Sequence, residues 1–260
     1  MICRELIAKM EQDFPPEYAL EWDNTGLLAG RLGKTIKNIY IALDATDEVI
    51  EEAIEQKADL LITHHPLIIS PLKKVTDEEF IPRRLVQMIQ NDISYYAMHT
   101  NYDVLRMGEL AGQKLGFQNP AVLNTTCSEE GRERGIGEVA ELAEAMTLER
   151  YCEHVKKSFA LDTVRVFGDP GKEVKRVAVS PGSGKHMTEA ALSKKADVLI
   201  TGDIGHHEGI DAAARDMAII DAGHYGMEYI FIEDIKMYIE RKFPNMRVTT
   251  AEVHHPFRVV

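Results

Sequence analysis

The sequence predicts an α/β fold made of two similar α/β lobes, residues 1–125 and 126–260, with a metal site in the cleft between them. Three observations predict it. Short apolar runs of strand length alternate with amphipathic helical stretches. The run Ala58-Asp59-Leu60-Leu61-Ile62-Thr63 returns almost unchanged as Ala196-Asp197-Val198-Leu199-Ile200-Thr201. Each copy follows a strand, a turn and a helix and precedes a helix and a strand, which marks a duplicated half. Finally, polar side chains of the metal-binding type stand directly after strand ends, where open α/β sheets place their ligands.

In chain order, Ile2, Leu6, Ile7, Met10 and Phe14 recur at helical spacing, and Pro15-Pro16 ends that helix. Glu21-Trp22-Asp23-Asn24-Thr25-Gly26-Leu27 holds the only tryptophan, and its Asp, Asn and Gly predict a turn. Residues 39–43 form a strand. Asp44-Ala45-Thr46 then leads into a helix with Val49, Ile50, Ala53 and Ile54 on one face. Strand 60–63 stops at His64-His65-Pro66, because proline cannot continue a ladder. A helix over 82–91 precedes strand 94–98, which runs into His99-Thr100-Asn101-Tyr102-Asp103. Helix 107–115 closes on Gly116 as a C-cap. Residues 117–138, rich in Asn, Thr, Glu, Arg and Gly, predict a long connection, and residues 138–149 an acidic, solvated helix face.

The second half continues with a helix over 148–157, strands 163–167 and 176–179, a helix over 187–195 and strands 197–201 and 218–221. Ala222-Gly223-His224-Tyr225-Gly226-Met227-Glu228 opens a long helix to about residue 242, and residues 247–251 form a last strand. Gly182-Ser183-Gly184-Lys185 invites a phosphate-loop reading. That motif would need glycine at Val179 and a hydroxyl at His186, so a turn into a helix is predicted instead. His206-His207 read as exposed helix residues, and His254-His255-Pro256 stays unassigned.

Composition narrows the function. A formal charge of −12 weighs against nucleic-acid binding, which depends on neutralising phosphates. No apolar run reaches the roughly 20 residues that span a bilayer. The N-terminal residues lack a basic segment ahead of an apolar one, as a signal peptide would have. Three scattered cysteines without a Cys-x-x-Cys pair predict free thiols, and a cytoplasmic location is expected.

Three places offer metal-type side chains just past strand ends: His64-His65, His99 to Asp103, and His224 to Glu228. The last pair is four apart on one helix face, so both can reach one ion. Imidazole with carboxylate suits zinc, iron, manganese, cobalt or nickel better than magnesium or calcium. Five ligands exceed the roughly three of an open mononuclear catalytic site. They suit two divalent transition-metal ions about 3.5–4 Å apart, bridged by Glu228.

Trp22-Asp23-Asn24-Thr25-Gly26-Leu27, Thr63-His64-His65-Pro66, His99-Thr100-Asn101-Tyr102-Asp103, Thr201-Gly202-Asp203 and Gly223-His224-x-x-x-Glu228 occur here in that order. In this the chain resembles the Nif-three-like family, whose bacterial members are catalogued as GTP cyclohydrolase 1 type 2 homologues. The resemblance covers nearly the whole chain and implies a dinuclear metal site between two lobes and a toroidal homohexamer. Carried over by position, the ligands are His64, His65, Asp103, His224 and Glu228, with His99 close by. The chain departs from the family pattern at Tyr225 and at Asp203, where a histidine and a glutamate are common. Only 117–138 joins the halves, so the chain resembles the members without a large inserted domain.

Two divalent ions against two carboxylates leave a net positive site that would retain hydroxide and attract a small, phosphate-bearing ligand. The resemblance thus implies a metal-dependent hydrolase, with hydroxide attacking a nucleotide or similar anion and His99 shuttling the proton. The alternative is a non-catalytic metal-handling or regulatory protein.

Overall fold

The computed structural model describes residues 1–129 and 131–260, and its contacts group the chain into two units. One comprises Met1–Tyr102 with Phe231–His254, the other Asp103–Ile230 with His255–Val260. Among the described residues no helix is long and apolar enough to cross a membrane. The cysteines are free thiols, with Cys3 and Cys152 buried.

The first unit begins with α1 (Cys3–Met10) and β1 (Gly26–Ala29). There follow β2 (Asn38–Ala42), α2 (Asp47–Glu55), β3 (Leu60–Thr63), α3 (Phe80–Gln90) and β4 (Ser94–Ala97). The five-stranded sheet has the order β1-β4-β3-β2-β11, where β11 is Arg247–Thr250. Its strands β4, β3, β2 and β11 are parallel, and β1 is an antiparallel edge. Both faces of β3 are buried, which is why it reads as a continuous apolar run. On one face Tyr40, Leu61 and Tyr95 pack with Ile50 and Ala53 of α2 and Leu85 and Met88 of α3. Thr46 caps α2 by accepting the Val49 N–H.

The second unit has a six-stranded sheet of order β5-β6-β8-β9-β10-β7. Its elements are β5 (Ala121–Glu129), β6 (Arg132–Thr147), α6 (Leu148–Ser158), β7 (Arg165–Phe167), β8 (Glu173–Ser183), α7 (Thr188–Ser193), β9 (Val198–Gly202), α8 (His206–Ala214) and β10 (Ala218–Asp221). Strands β8, β9 and β10 are parallel, and β7 is an antiparallel edge beside β10. This is the same β-α-β-α-β path as β2 to β4, so the sequence repeat is a structural one.

The repeated Ala-Asp has a physical reason. Asp59 Oδ2 accepts the N–H groups of Lys37 and Asn38 at 2.8 and 2.9 Å, pinning the start of β2. Asp197 Oδ2 accepts those of Lys175 and Arg176 at 2.9 and 2.7 Å, pinning the early part of the equivalent strand β8. Before each Ala-Asp pair a lysine ends the helix in the left-handed region, Lys57 at φ 54° and Lys195 at φ 57°.

Two expectations are corrected. Apart from residue 130, which lies outside the described residues, 117–138 are not an irregular connection, and 138–149 are mostly strand: β5 and β6 pair antiparallel, and β6 pairs onward with β8. Strand β5 is largely exposed, so its apolar positions are too few to show a period. In β6 the Glu- and Ala-rich composition favours helix locally, but pairing with β5 along its first half and with β8 along its second prevails.

Glu138 of β6 is pressed against Gly112 of α5 (Gly108–Leu115). Burial, with Glu109 nearby, pushes its carboxyl up to about 7. The folded state therefore holds this proton more tightly than the unfolded chain, for which 4.5 applies. That contribution to stability is complete below about pH 4.5 and is lost as pH rises to about 7. Glu138→Gln should remove this slope: its Tm should match the parent's at pH 4 and exceed it by a few degrees at pH 8. Parallel melting curves across that range would refute the assignment.

Candidate metal centre

In the first unit, His64 and His65 leave the C-terminal end of β3, and His99 leaves that of β4. One ring nitrogen from each of the three lies within 4.8 Å of the others. His64 is fully buried, its ring 5.2 Å from that of Phe231. Its Nδ1 lies 2.8 Å from the Met98 carbonyl oxygen. A carbonyl can only accept, so Nδ1 carries the hydrogen and Nε2 offers its lone pair. His65 Nδ1 lies 2.7 Å from Asp44 Oδ1, and His99 Nδ1 lies 2.8 Å from Asp23 Oδ1.

The turn carrying the double histidine is locked from β4. Tyr95 donates its O–H to the His65 carbonyl at 3.0 Å and accepts the Leu67 N–H at 2.8 Å. Thr63 Oγ1 also bonds the His65 carbonyl, at 2.8 Å. The Trp22-Asp23-Asn24 turn comes in from a distant part of the chain. Asp23 takes the Thr100 N–H at 2.9 Å and hydroxyl at 2.5 Å besides His99. Burial raises the Asp23 pKa, but the bonds from His99 and Thr100 outweigh it and hold the carboxyl at about 2. Asn24 ties the turn to the Ile68 carbonyl at 2.6 Å, and Trp22 meets the His99 ring edge-on at 5.8 Å.

In the second unit, Asp103 opens a π-helical turn (Asp103–Met107) that follows the short α4 (Thr100–Tyr102) and precedes α5. Such turns re-aim side chains and recur at functional sites. His224 and Glu228 lie one turn apart on α9 (His224–Glu228). Glu228 is buried, and single ligand atoms of Asp103 and Glu228 lie within 4.8 Å of each other. His224 Nδ1 lies 2.8 Å from Asp203 Oδ2, and its Nε2 lies 3.0 Å from Glu228 Oε2. A neutral imidazole carries one N–H, so the second of these contacts requires a further proton or a metal cation. Gly182 keeps space there: a Cβ on it would stand 2.3 Å from Glu228 Oε1 and 3.8 Å from His224 Nε2.

All four histidines thus have Nδ1 held by an oxygen and Nε2 turned outward from that bond. This is the arrangement that fixes the tautomer and aim of metal-ligating imidazoles. The donor set of imidazole nitrogens and carboxylates fits divalent transition-metal ions.

Residues 1–256 match the family model described as Duf34/NIF3 (NGG1p interacting factor 3). The chain belongs to the Duf34/NIF3 family. It is 35% identical over 242 residues to a protein of Clostridium acetobutylicum named GTP cyclohydrolase 1 type 2 homolog, covering 92% of this chain and 90% of that one. A Streptococcus pneumoniae protein of the same name is 36% identical over 241 residues, with 90% and 89% covered. Among solved structures, a Bacillus cereus protein related to NIF3 has a TM-score of 0.91 at 26% identity, with 100% of this chain and 99% of that one covered. Reduced HcgD from Methanocaldococcus jannaschii has 0.82 at 29%, with 96% and 97% covered.

Of the residues singled out for this Duf34/NIF3 chain, the structure gathers His64, His65 and His99 in one unit and Asp103, His224 and Glu228 in the other. His206 and His207 stand exposed at the start of α8. His255 packs its ring 5.4 Å from Tyr225. Sequence reading missed Asp44, the partner of His65, and the part Gly182 plays beside Glu228. Asp44 did carry a signal, since it ends β2 just as the histidines end β3.

Proposed function

We propose that this chain is a dinuclear metal-dependent hydrolase in which His64, His65, Asp103, His224 and Glu228 together hold two divalent ions. The observation that carries this reading is the shared orientation of the four imidazoles, each anchored through Nδ1. Two bound ions would lower the pKa of water and polarise an anionic substrate. The name of the relatives, GTP cyclohydrolase 1 type 2 homolog, supports a guanine nucleotide as candidate substrate. The reaction would be addition of water to the imidazole carbon with opening of a C–N bond.

The protein's own groups supply the rest. His99, oriented by ionised Asp23, accepts the proton from the attacking water at Nε2 and returns it to the leaving nitrogen. Trp22 flanks His99 with its ring edge-on. Asp44 and Asp203 hold His65 and His224 in their tautomers. The homohexamer implied by the family is part of the same reading. Ile69, Val75, Phe80 and Ile89, all exposed in the first unit, are the kind of apolar surface a ring would cover.

The test is turnover by metal-loaded protein across a panel of nucleotides and phosphoesters, with His99→Ala beside the parent. We expect turnover by the parent, and a loss of about 100-fold or more in the variant with bound metal unchanged. Full metal occupancy without turnover would contradict the hydrolase and favour metal handling.

A further inference from the structure

We propose that Arg165 and Asp221 are positioning residues that together lock the two backbone turns carrying Asp203 and His224. The inference rests on His224 being a metal ligand. Arg165 and Asp221 face each other across the antiparallel pair of β7 and β10. Neither belongs to any of the ligand groups among the described residues.

Buried Asp221 divides its two oxygens between the turns. Oδ2 accepts the Ile204 N–H at 3.1 Å, and Oδ1 accepts the Gly223 N–H at 3.0 Å. Arg165 completes the lock with a single nitrogen. It donates to Asp221 Oδ2 at 2.5 Å and to the Ile204 carbonyl at 2.6 Å. Ile204 is therefore gripped at both its N–H and its carbonyl, and it directly follows Asp203. Gly223 directly precedes His224. Between them the lock fixes the distance over which Asp203 reaches His224 Nδ1.

This turn needs holding. Asp203 sits in the left-handed region at φ 54°, where a non-glycine residue is strained. Gly202 lets the two turns approach so closely that a Cβ there would stand 2.5 Å from the His224 backbone nitrogen. Without the lock, relaxation of Asp203 toward ordinary angles would rotate its carboxylate away from the imidazole.

The comparison with the first unit strengthens the assignment. There the equivalent turn after β3 is held by the uncharged Tyr95 and Thr63 hydroxyls. The duplicated halves keep the same need, a rigid turn after the central strand, and meet it with different chemistry. In the second unit the lock is an ion pair whose arginine side chain is 60% exposed, so it can be altered without opening the core.

The experiment compares Arg165→Ala, Arg165→Lys, Asp221→Asn and His224→Ala with the parent, all confirmed folded by circular dichroism at 25 °C. Cobalt(II) is the probe, read by titration and by its visible spectrum. Amide hydrogen exchange is followed in the metal-free proteins. We expect about a tenfold weaker cobalt affinity and an altered spectrum in Arg165→Ala and Asp221→Asn, with partial recovery in Arg165→Lys. Without metal, the Ile204 and Gly223 amides should exchange faster in Asp221→Asn, and the Ile204 amide in Arg165→Ala. Parental affinity, spectrum and exchange in these variants, while His224→Ala has lost cobalt, would overturn the positioning role alone. Parental cobalt binding by His224→Ala would instead overturn the metal reading, and the exchange rates would still decide whether the lock exists.

Discussion

His64→Ala is expected to weaken divalent-metal binding by more than about 100-fold, beyond the 10–100-fold typical for residues that only support a ligand. His64 is fully buried, with its Nδ1 committed to the Met98 carbonyl. The change also removes a ring packed on Phe231 and near Tyr102. A stability loss of about 1–3 kcal/mol in metal-free protein should accompany it. Cobalt titration and metal-free melting curves separate the two effects. Unchanged affinity in a folded variant would remove His64 from the ligand set.

The largest effects on stability should come from the paired leucines of the repeat. Leu61 and Leu199 occupy equivalent places on the central strands β3 and β9, and neither has any exposed surface. Leu61→Ala and Leu199→Ala should each cost about 2–5 kcal/mol, the sum of lost transfer energy and the cavity left behind. Chemical denaturation monitored by circular dichroism gives the values. A cost below about 1 kcal/mol at either position would mean that its sheet collapses around the gap far more readily than β3 and β9 suggest.

The same leucines show why the fold was legible in the sequence. A strand buried on both faces must be apolar throughout, so β3 and β9 stood out, and Asp59 and Asp197 repeat because each pins the neighbouring strand. The β5–β6 hairpin did not stand out. Strand β5 is largely exposed and the Glu- and Ala-rich composition of β6 favours helix, so neither period nor propensity marked the pair as strands. The partner of β11 was illegible for a related reason: a half-exposed strand can be recognised, but nothing in its four residues selects β2.

The candidate site divides along similar lines. His64, His65, His99, Asp103, His224 and Glu228 were visible because each follows a strand end as a polar interruption. The groups that aim them were harder to see, since they arrive from remote segments. Asp23 precedes His99 by 76 residues and Asp44 precedes His65 by 21. Gly182 was read as an ordinary turn glycine, because a residue that works by having no side chain leaves no chemical signature. Its φ of 78° and the closeness of Glu228 emerge only in three dimensions.

The central claim, a dinuclear centre that Glu228 helps to hold, is tested most directly by metal analysis of the parent and Glu228→Gln prepared side by side. Glutamine keeps the size of the side chain but offers one neutral oxygen where a carboxylate offers two charged ones. The account predicts about two ions per chain in the parent, and one or none in the variant with its fold retained. Equal metal content in the two proteins, or a single ion in the parent, would contradict it.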